Sequence, residues 1–311
     1  MKNGKMNDAQ IFGKCCDSNL DRNKFAGRKI SIGVLRLGLA LGILFSFGEL
    51  TSVAISQQES KEWGHLKGQI VFDGDVPKKS EIIPTKVEDV KYCKENKITL
   101  FDEAFVVDKE TRGVRGVFVM LYLGRNPDEE GKKFLVHQSY DESQQETIIE
   151  INRMRFSPRE IVVRVGQKVI FRNSDSVGHN PRFLSGKLSF SALCAAVSDI
   201  DISSKVTEAD RLPQRMGCNM HEWVSGTILV RQTPYNVVTD SKGCFEIKNL
   251  PVGKHRFQFW KDRYLKLTDA KGEVRTDRRG VIEIEIKNGE TSDLGKLSFS
   301  NNKTTGKEPS R

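Results

Sequence analysis

The stretch Phe156-Ser-Pro-Arg-Glu-Ile-Val-Val-Arg-Val-Gly-Gln-Lys-Val-Ile-Phe-Arg-Asn173 decides the fold of this chain. β-Branched residues dominate two short runs, 161–165 and 168–171, and Gly166 separates them. Runs of this composition on either side of a glycine predict two strands joined by a tight turn. A third apolar run at 226–231 predicts another strand. The loops that connect these strands are therefore expected to start and end at strands of a β-sheet.

Three side chains in those loops are typical ligands of a soft transition metal. His179 follows the second strand, and Cys218 and His221 stand three residues apart in Gly217-Cys-Asn-Met-His221. One thiolate and two imidazoles suit copper, because sulfur favours Cu(I) while imidazole is accepted by both oxidation states. A Cys-x-x-His pair alone is weak evidence, so the prediction depends on the strands that surround it.

Together these residues resemble the cupredoxins, and within them the amicyanin and plastocyanin-like proteins. The resemblance covers roughly 147–231 and rests on Phe-x-Pro, Val-Gly-x-x-Val-x-Phe-x-Asn-x-Asp, the His-Asn pair, and Cys-x-x-His before an apolar strand. It implies a Greek-key β-sandwich that binds one copper ion, cycling between Cu(I) and Cu(II), through His179, Cys218 and His221. It also implies that Asn180 ties the two ligand loops together.

The chain departs from this resemblance at the axial ligand. Amicyanin-like proteins place a weak methionine ligand three residues after the second histidine, where this chain has Val224. Met216 and Met220 do not match that position, and the carbonyl oxygen of Gly178 is an alternative donor. Because the axial ligand tunes the reduction potential, we expect a three-coordinate copper of higher potential than in methionine-ligated relatives.

The predicted function is that of an electron carrier, not an enzyme. The five histidines include no His-x-His pair, which disfavours a multicopper oxidase cluster, and one cysteine in the ligand loop disfavours a binuclear centre. The resemblance implies outer-sphere transfer to a redox donor and acceptor through the His221 ring, which reaches the surface at an apolar patch formed by Trp223, Val224 and Phe183. The alternative for Trp223 is that it packs inward as a core aromatic. A metal-free or structural interaction module, a copper-buffering protein, and a zinc site completed by Cys194 or Cys244 are the alternatives.

The segments that flank the copper segment predict a second β unit. Residues 60–137 and 233–300 contain strand patterns with Thr-Asp-x-x-Gly-x-Phe and Leu-Pro-x-Gly turns. These resemble carboxypeptidase regulatory-like and transthyretin-like β-sandwiches. Either the copper segment interrupts this outer sandwich, with 138–147 and 232–237 as connections, or the units follow one another in tandem. In both arrangements the protein is all-β.

The amino-terminal segment and the net charge indicate where in the cell the protein is located. Residues 1–54 have the basic stretch, apolar core and small residues of a signal peptide or signal anchor, with 30–48 as the membrane-anchoring alternative. We therefore expect an exported protein, periplasmic or extracellular. The net charge of +9 falls to about +5 without that segment, because it holds eight Lys or Arg and four Asp or Glu. Interspersed charge gives no support for nucleic-acid binding, and 301–311 has the composition of a disordered tail.

Overall fold

The computed structural model describes residues 62–141, 146–183 and 189–300, so the predicted signal segment and tail lie outside the described residues. The strands are β1 (Trp63–Phe72), β2 (Glu81–Ile82), β3 (Leu100–Phe101), β4 (Phe118–Leu121), β5 (Thr147–Ile151), β6 (Phe156–Ser157), β7 (Glu160–Arg164), β8 (Val169–Asn173), β9 (Pro181–Phe183), β10 (Ser198–Asp201), β11 (Gln214–Cys218), β12 (Ser225–Arg231), β13 (Asn236–Val238), β14 (Cys244–Pro251), β15 (Gly253–Lys261), β16 (Arg263–Tyr264), β17 (Val281–Ile286) and β18 (Thr291–Phe299).

Helices contribute little to the described ranges. They are the α-helices α1 (Val87–Glu95) and α2 (Pro127–Lys132) and the short 3-10 helices Gln138–Tyr140 and Ser203–Lys205. Among these residues no helix has the length and apolar character needed to span a bilayer. The prediction of an all-β protein is confirmed.

The predicted copper segment, 147–231, consists of two four-stranded sheets. One has the strand order β10-β8-β5-β6 and the other β7-β12-β11-β9. Gly166, with φ +77°, forms the predicted hinge between β7 and β8, a conformation that glycine adopts without steric cost. The two sheets bury one apolar core between them, which includes Ile149, Val163, Phe171 and Ile228. This core fixes the strand ends from which the ligand loops depart.

Strands from both sides of the copper segment share two further sheets, whereas β2 and β3 pair only with each other. β1 pairs with β14 in antiparallel and with β18 in parallel orientation. β4 lies between β13 and β15, and β17 pairs with the other edge of β15. Their apolar residues form one cluster that includes Leu66, Val119, Phe257 and Ile284. β13 begins at Asn236, inside the predicted connection 232–237, so the end of that stretch is strand and not linker.

The helix α1 was not anticipated by the strand patterns. Glu88 and Asp89 occupy its first turn and Lys94 its last turn, an arrangement that complements the helix dipole. The residue after its C-cap, Lys97, has φ +51°, which ends the helical conformation. One side of α1 buries Asp89 and Cys93, and this side faces the copper segment.

The copper segment and the flanking strands are packed against each other. Leu229 of the copper segment shares a buried cluster with Phe118 and Met120 of β4. A buried ion pair adds to this contact, because Lys261 Nζ at the end of β15 lies 2.9 Å from Glu160 Oε1 at the start of β7. A Cβ atom on Gly116 would lie 2.6 Å from the Glu160 carboxyl carbon. Only glycine therefore leaves room for this pair.

We predict that Glu160→Gln destabilises the protein strongly. The substitution leaves Lys261 buried without its opposing charge, which typically costs about 3–5 kcal/mol. The matched control is Glu283→Gln, which breaks the exposed pair with Lys254 and should cost less than about 1 kcal/mol. Urea unfolding of both variants measures the difference. Equal, small losses would contradict a stabilising role for the buried pair.

Candidate copper site

The three predicted ligands come from two loops at one end of the copper segment. His179 lies between β8 and β9, and its backbone N–H and C=O both pair with Cys194. Cys218 is the last residue of β11, and His221 follows in a tight turn closed by the Val224 N–H to the His221 carbonyl at 3.0 Å. β11 pairs with β9 next to these loops, so the sheet register brings both loops together.

The side chains of His179, Cys218 and His221 converge on one point. The two Nδ1 atoms lie 3.1 Å apart, and Cys218 Sγ lies 3.8 Å from His179 Nδ1 and 3.7 Å from His221 Nδ1. This spacing accommodates a transition-metal ion at the ~2.0–2.3 Å that nitrogen and sulfur ligands keep from it. The exposed fractions are 0%, 4% and 4%. Within the described residues this is the one group of three or more such ligands.

The electrostatics of the site favour a thiolate. Burial alone would raise the pKa of Cys218, but hydrogen bonds from His179 and His221 outweigh it and lower the pKa to about 5. The backbone N–H of Asn180 also donates to Cys218 Sγ at 3.3 Å. The thiolate is the form of cysteine that binds metals. Cys218 is therefore already deprotonated for metal binding, and the donor set of one thiolate and two imidazoles fits copper.

His179 is oriented from behind by Asp175. Its Nε2 lies 3.1 Å from Asp175 Oδ2, which leaves Nδ1 directed at the site. The carboxylate is fixed in turn by the backbone N–H groups of Arg153 and Met154, at 2.6 and 2.9 Å. Burial would lower the pKa of His179, yet its bonds to Asp175 and Cys218 raise it overall. A carboxylate on the second ring nitrogen is a common way to fix the tautomer of a metal-binding histidine.

His221 has a similar partner from outside the copper segment. Its Nε2 lies 3.2 Å from Oδ1 of Asp89 on α1. The expectation that the His221 ring reaches the surface is therefore wrong, because α1 covers it. The physical reason is that a flanking segment, which the strand patterns did not place, packs over the ligand loop.

Asn180 lies where the two ligand loops meet. Besides its bond to Cys218, its carbonyl accepts from the Asn219 N–H at 3.0 Å. Its side-chain oxygen accepts from Asn219 Nδ2 at 2.9 Å and from Ser191 Oγ at 2.8 Å. These contacts place Asn180 in the linking position that the resemblance implies.

The predicted partner surface is only partly exposed. Val224 has no exposed area, so its assignment to an exposed patch is wrong: it packs in the core between the two sheets. Phe183 is also buried. Trp223 is half-buried, and its ring centroid lies 5.6 Å from that of His221. It contacts both the sandwich core and the cluster beneath α1.

The remaining cysteines do not complete the site. Cys93, Cys194 and Cys218 are free thiols, so no disulfide joins two of Cys93, Cys194 and Cys244. Cys194 pairs with His179 through the backbone, while its thiol contacts Ser198. The ligand cluster does not include Cys194 or Cys244, so neither supplies the fourth donor that a zinc site requires.

Sequence reasoning missed Asp175 and Asp89. Asp175 was visible as the last residue of the Asn-x-Asp motif, four positions before His179, and its proximity to the ligand could have suggested its role. Asp89 had no such signal, because it lies about 130 residues before its partner in a segment without a recognised motif.

Comparison with known proteins identifies the segment. Residues 143–220 match the family model of copper binding proteins of the plastocyanin/azurin family. The match includes His179 and Cys218 and ends one residue before His221. The predicted resemblance of the copper segment is confirmed: it matches a family of copper-binding proteins, and copper is the metal that this match and the ligand set indicate.

Solved structures match the same share of the chain. A Cu(I) form of an amicyanin mutant is 20% identical and covers 28% of this chain and 82% of its own, with a TM-score of 0.25. A copper-containing nitrite reductase from Thermus scotoductus SA-01 is 18% identical and covers 28% of this chain and 22% of its own, with a TM-score of 0.25. No curated protein sequence matches the chain significantly.

We predict that the metal-free protein holds Cys218 as a thiolate at neutral pH. Its ultraviolet thiolate absorbance should persist as pH falls and disappear around a midpoint of about pH 5. Cys93 and Cys194 should not contribute, because burial raises the pKa of both thiols. The Cys218→Ser variant supplies the baseline. Absorbance that develops only at alkaline pH would contradict the proposed charge state.

Proposed function

We propose that this protein is an exported, mononuclear type 1 copper protein that carries single electrons between a redox donor and a redox acceptor. The observation behind this proposal is the convergence of Cys218 Sγ with the Nδ1 atoms of His179 and His221 in a buried site. Copper bound there would supply one-electron chemistry. Because Val224 stands three residues after His221, where a methionine ligand is absent, three protein side chains would hold the ion.

The surroundings of the ligands suit electron transfer better than bond making. Each imidazole is fixed through its second nitrogen, His179 by Asp175 and His221 by Asp89. Imidazole rings fixed in this way would move little when a bound copper ion changed oxidation state, which would lower the structural change that accompanies electron transfer. The low exposure of all three ligands restricts water and small substrates. We therefore propose a carrier.

Burial also distinguishes the carrier from the alternative functions. A copper-buffering protein must exchange its metal with other ligands, which requires access to the donor atoms, and here their residues are 0–4% exposed. A metal-free structural module gives no reason for three buried ligand atoms to converge at 3.1–3.8 Å, a spacing that fits a metal ion. Both alternatives are therefore less well supported.

Location and partners follow from the rest of the chain. We propose export on the basis of the signal-like pattern in 1–54, with redox proteins as partners and 30–48 as a possible membrane anchor. We also propose that 60–137 and 233–300 form one β-sandwich interrupted by the copper segment, since their strands share sheets. Electrons that pass through His221 would then cross α1 before they reach a partner.

The visible spectrum of the full chain loaded with Cu(II) tests the proposed site. We expect an intense thiolate-to-copper charge-transfer band that is lost in Cys218→Ser. The matched control is Cys93→Ser, which removes a buried free thiol outside the ligand set and should retain the band. A wild-type protein that binds copper without this band, or a band that survives in Cys218→Ser, would refute the type 1 assignment.

A further inference from the structure

The helix α1 contributes to the copper site although it lies outside the family-matched segment. The match covers 143–220, whereas α1 spans Val87–Glu95. Asp89 is 7% exposed and directs Oδ1 to within 3.2 Å of His221 Nε2. Its other oxygen, Oδ2, is buried and has no hydrogen-bond partner among the described residues. A buried carboxylate of this kind is costly, so its retention next to a metal ligand needs a physical reason.

Contacts along α1 fix it to both ligand loops. Lys86 Nζ, at the start of the helix, donates to the carbonyl of Met220 at 2.7 Å. The Tyr92 hydroxyl accepts from the backbone N–H of Ser176 at 3.4 Å. Beyond the helix, Arg153 Nη2 donates to the Lys97 carbonyl at 2.8 Å. With contacts to the loops of His179 and His221, α1 is a fixed cover rather than a loose segment.

Apolar packing beneath the helix reinforces this cover. Cys93 of α1 shares a buried cluster with Ile98, Leu100 and Met154, and Val177 and Trp223 pack against it. This cluster joins residues from the flanking segment to residues next to the ligands. Displacing α1 would expose the cluster to water and separate Asp89 from His221.

We propose that Asp89 is a positioning residue of the copper site, which holds the His221 ring through Nε2 and makes the flanking segment a part of the centre. This inference rests on the proposed copper function. With Nδ1 directed at the metal, Nε2 carries the proton and donates it toward Asp89. Both imidazoles are then held by carboxylates, one from within the copper segment and one from outside it.

Two consequences follow for bound copper. The first concerns retention: partners behind a metal-binding histidine typically contribute about 10–100-fold to metal affinity. The second concerns the reduction potential. Cu(II) bears one more positive charge than Cu(I), so the negative charge of Asp89 favours the oxidised state and lowers the potential. This effect opposes the increase expected from the missing axial methionine.

The test compares Asp89→Ala and Asp89→Asn with Glu88→Ala, which changes an exposed acidic residue of the same helical turn. In copper-loaded full-length protein, Asp89→Ala should weaken Cu(I) affinity against a chelator by about 10–100-fold and raise the potential. Asp89→Asn keeps an acceptor for Nε2–H but loses the charge. It should therefore retain most of the affinity and still raise the potential, while Glu88→Ala should match wild type in both.

The Cu(I)-loaded protein, in which the metal would occupy Nδ1 of His221, provides an independent readout. The Nε2–H proton of His221 should give an NMR signal protected from solvent exchange in wild type and Glu88→Ala, and that protection should be lost in Asp89→Ala. Affinity, potential and proton protection that are all unchanged in Asp89→Ala relative to Glu88→Ala would overturn the inference. If Asp89→Ala does not fold, an unchanged potential in Asp89→Asn overturns it. Failure of the copper function itself would appear separately, as a wild-type protein without the thiolate-to-copper band.

Discussion

A buried thiolate between two imidazoles is the constraint on which this end of the molecule depends. Negative charge without compensation is unfavourable in a protein interior, and Cys218 has the facing Nδ1 atoms of His179 and His221 as its compensation. Cys218 ends β11 in one sheet, and His179 lies in the loop that leaves β8 in the other sheet, so the register of both sheets must hold. The packed core around Phe171 and Ile228 supplies that register.

The copper segment could be predicted from sequence because its signals are local. Alternating and β-branched runs give β7, β8 and β12, Gly166 gives their hinge, and the spacing of Cys218 and His221 gives half of the ligand set. The surroundings of the ligands were harder to predict from the sequence. Whether His221 is exposed depends on α1, a helix encoded far upstream, and a short helix with one buried side does not reveal which surface it covers. Val224 was wrongly predicted to be exposed for a related reason: an apolar residue next to a ligand can lie in the core or in an exposed patch, and its sequence position does not distinguish the two.

The flanking segments determine how the site meets solvent. β1 and β4 precede the copper segment and pair with strands that follow it, and the loop after β2 supplies α1. The contacts of Leu229 with Phe118 and of Glu160 with Lys261 hold the sandwich against these strands. A partner that approaches His221 therefore meets the outer face of α1 and not the imidazole ring. The surroundings of the ligand cluster therefore come from both the copper segment and the flanking segments, whereas the three predicted ligands belong to the copper segment alone.

The central claim is that Cys218, His179 and His221 bind one copper ion together. X-ray absorption at the copper edge of the loaded, full-length protein tests it most directly, because it counts the sulfur and nitrogen ligands around the metal. We predict one sulfur and two imidazole nitrogens per copper, with the sulfur contribution lost in Cys218→Ser. Two sulfur ligands, or a shell of nitrogen and oxygen alone in the wild-type protein, would contradict the account.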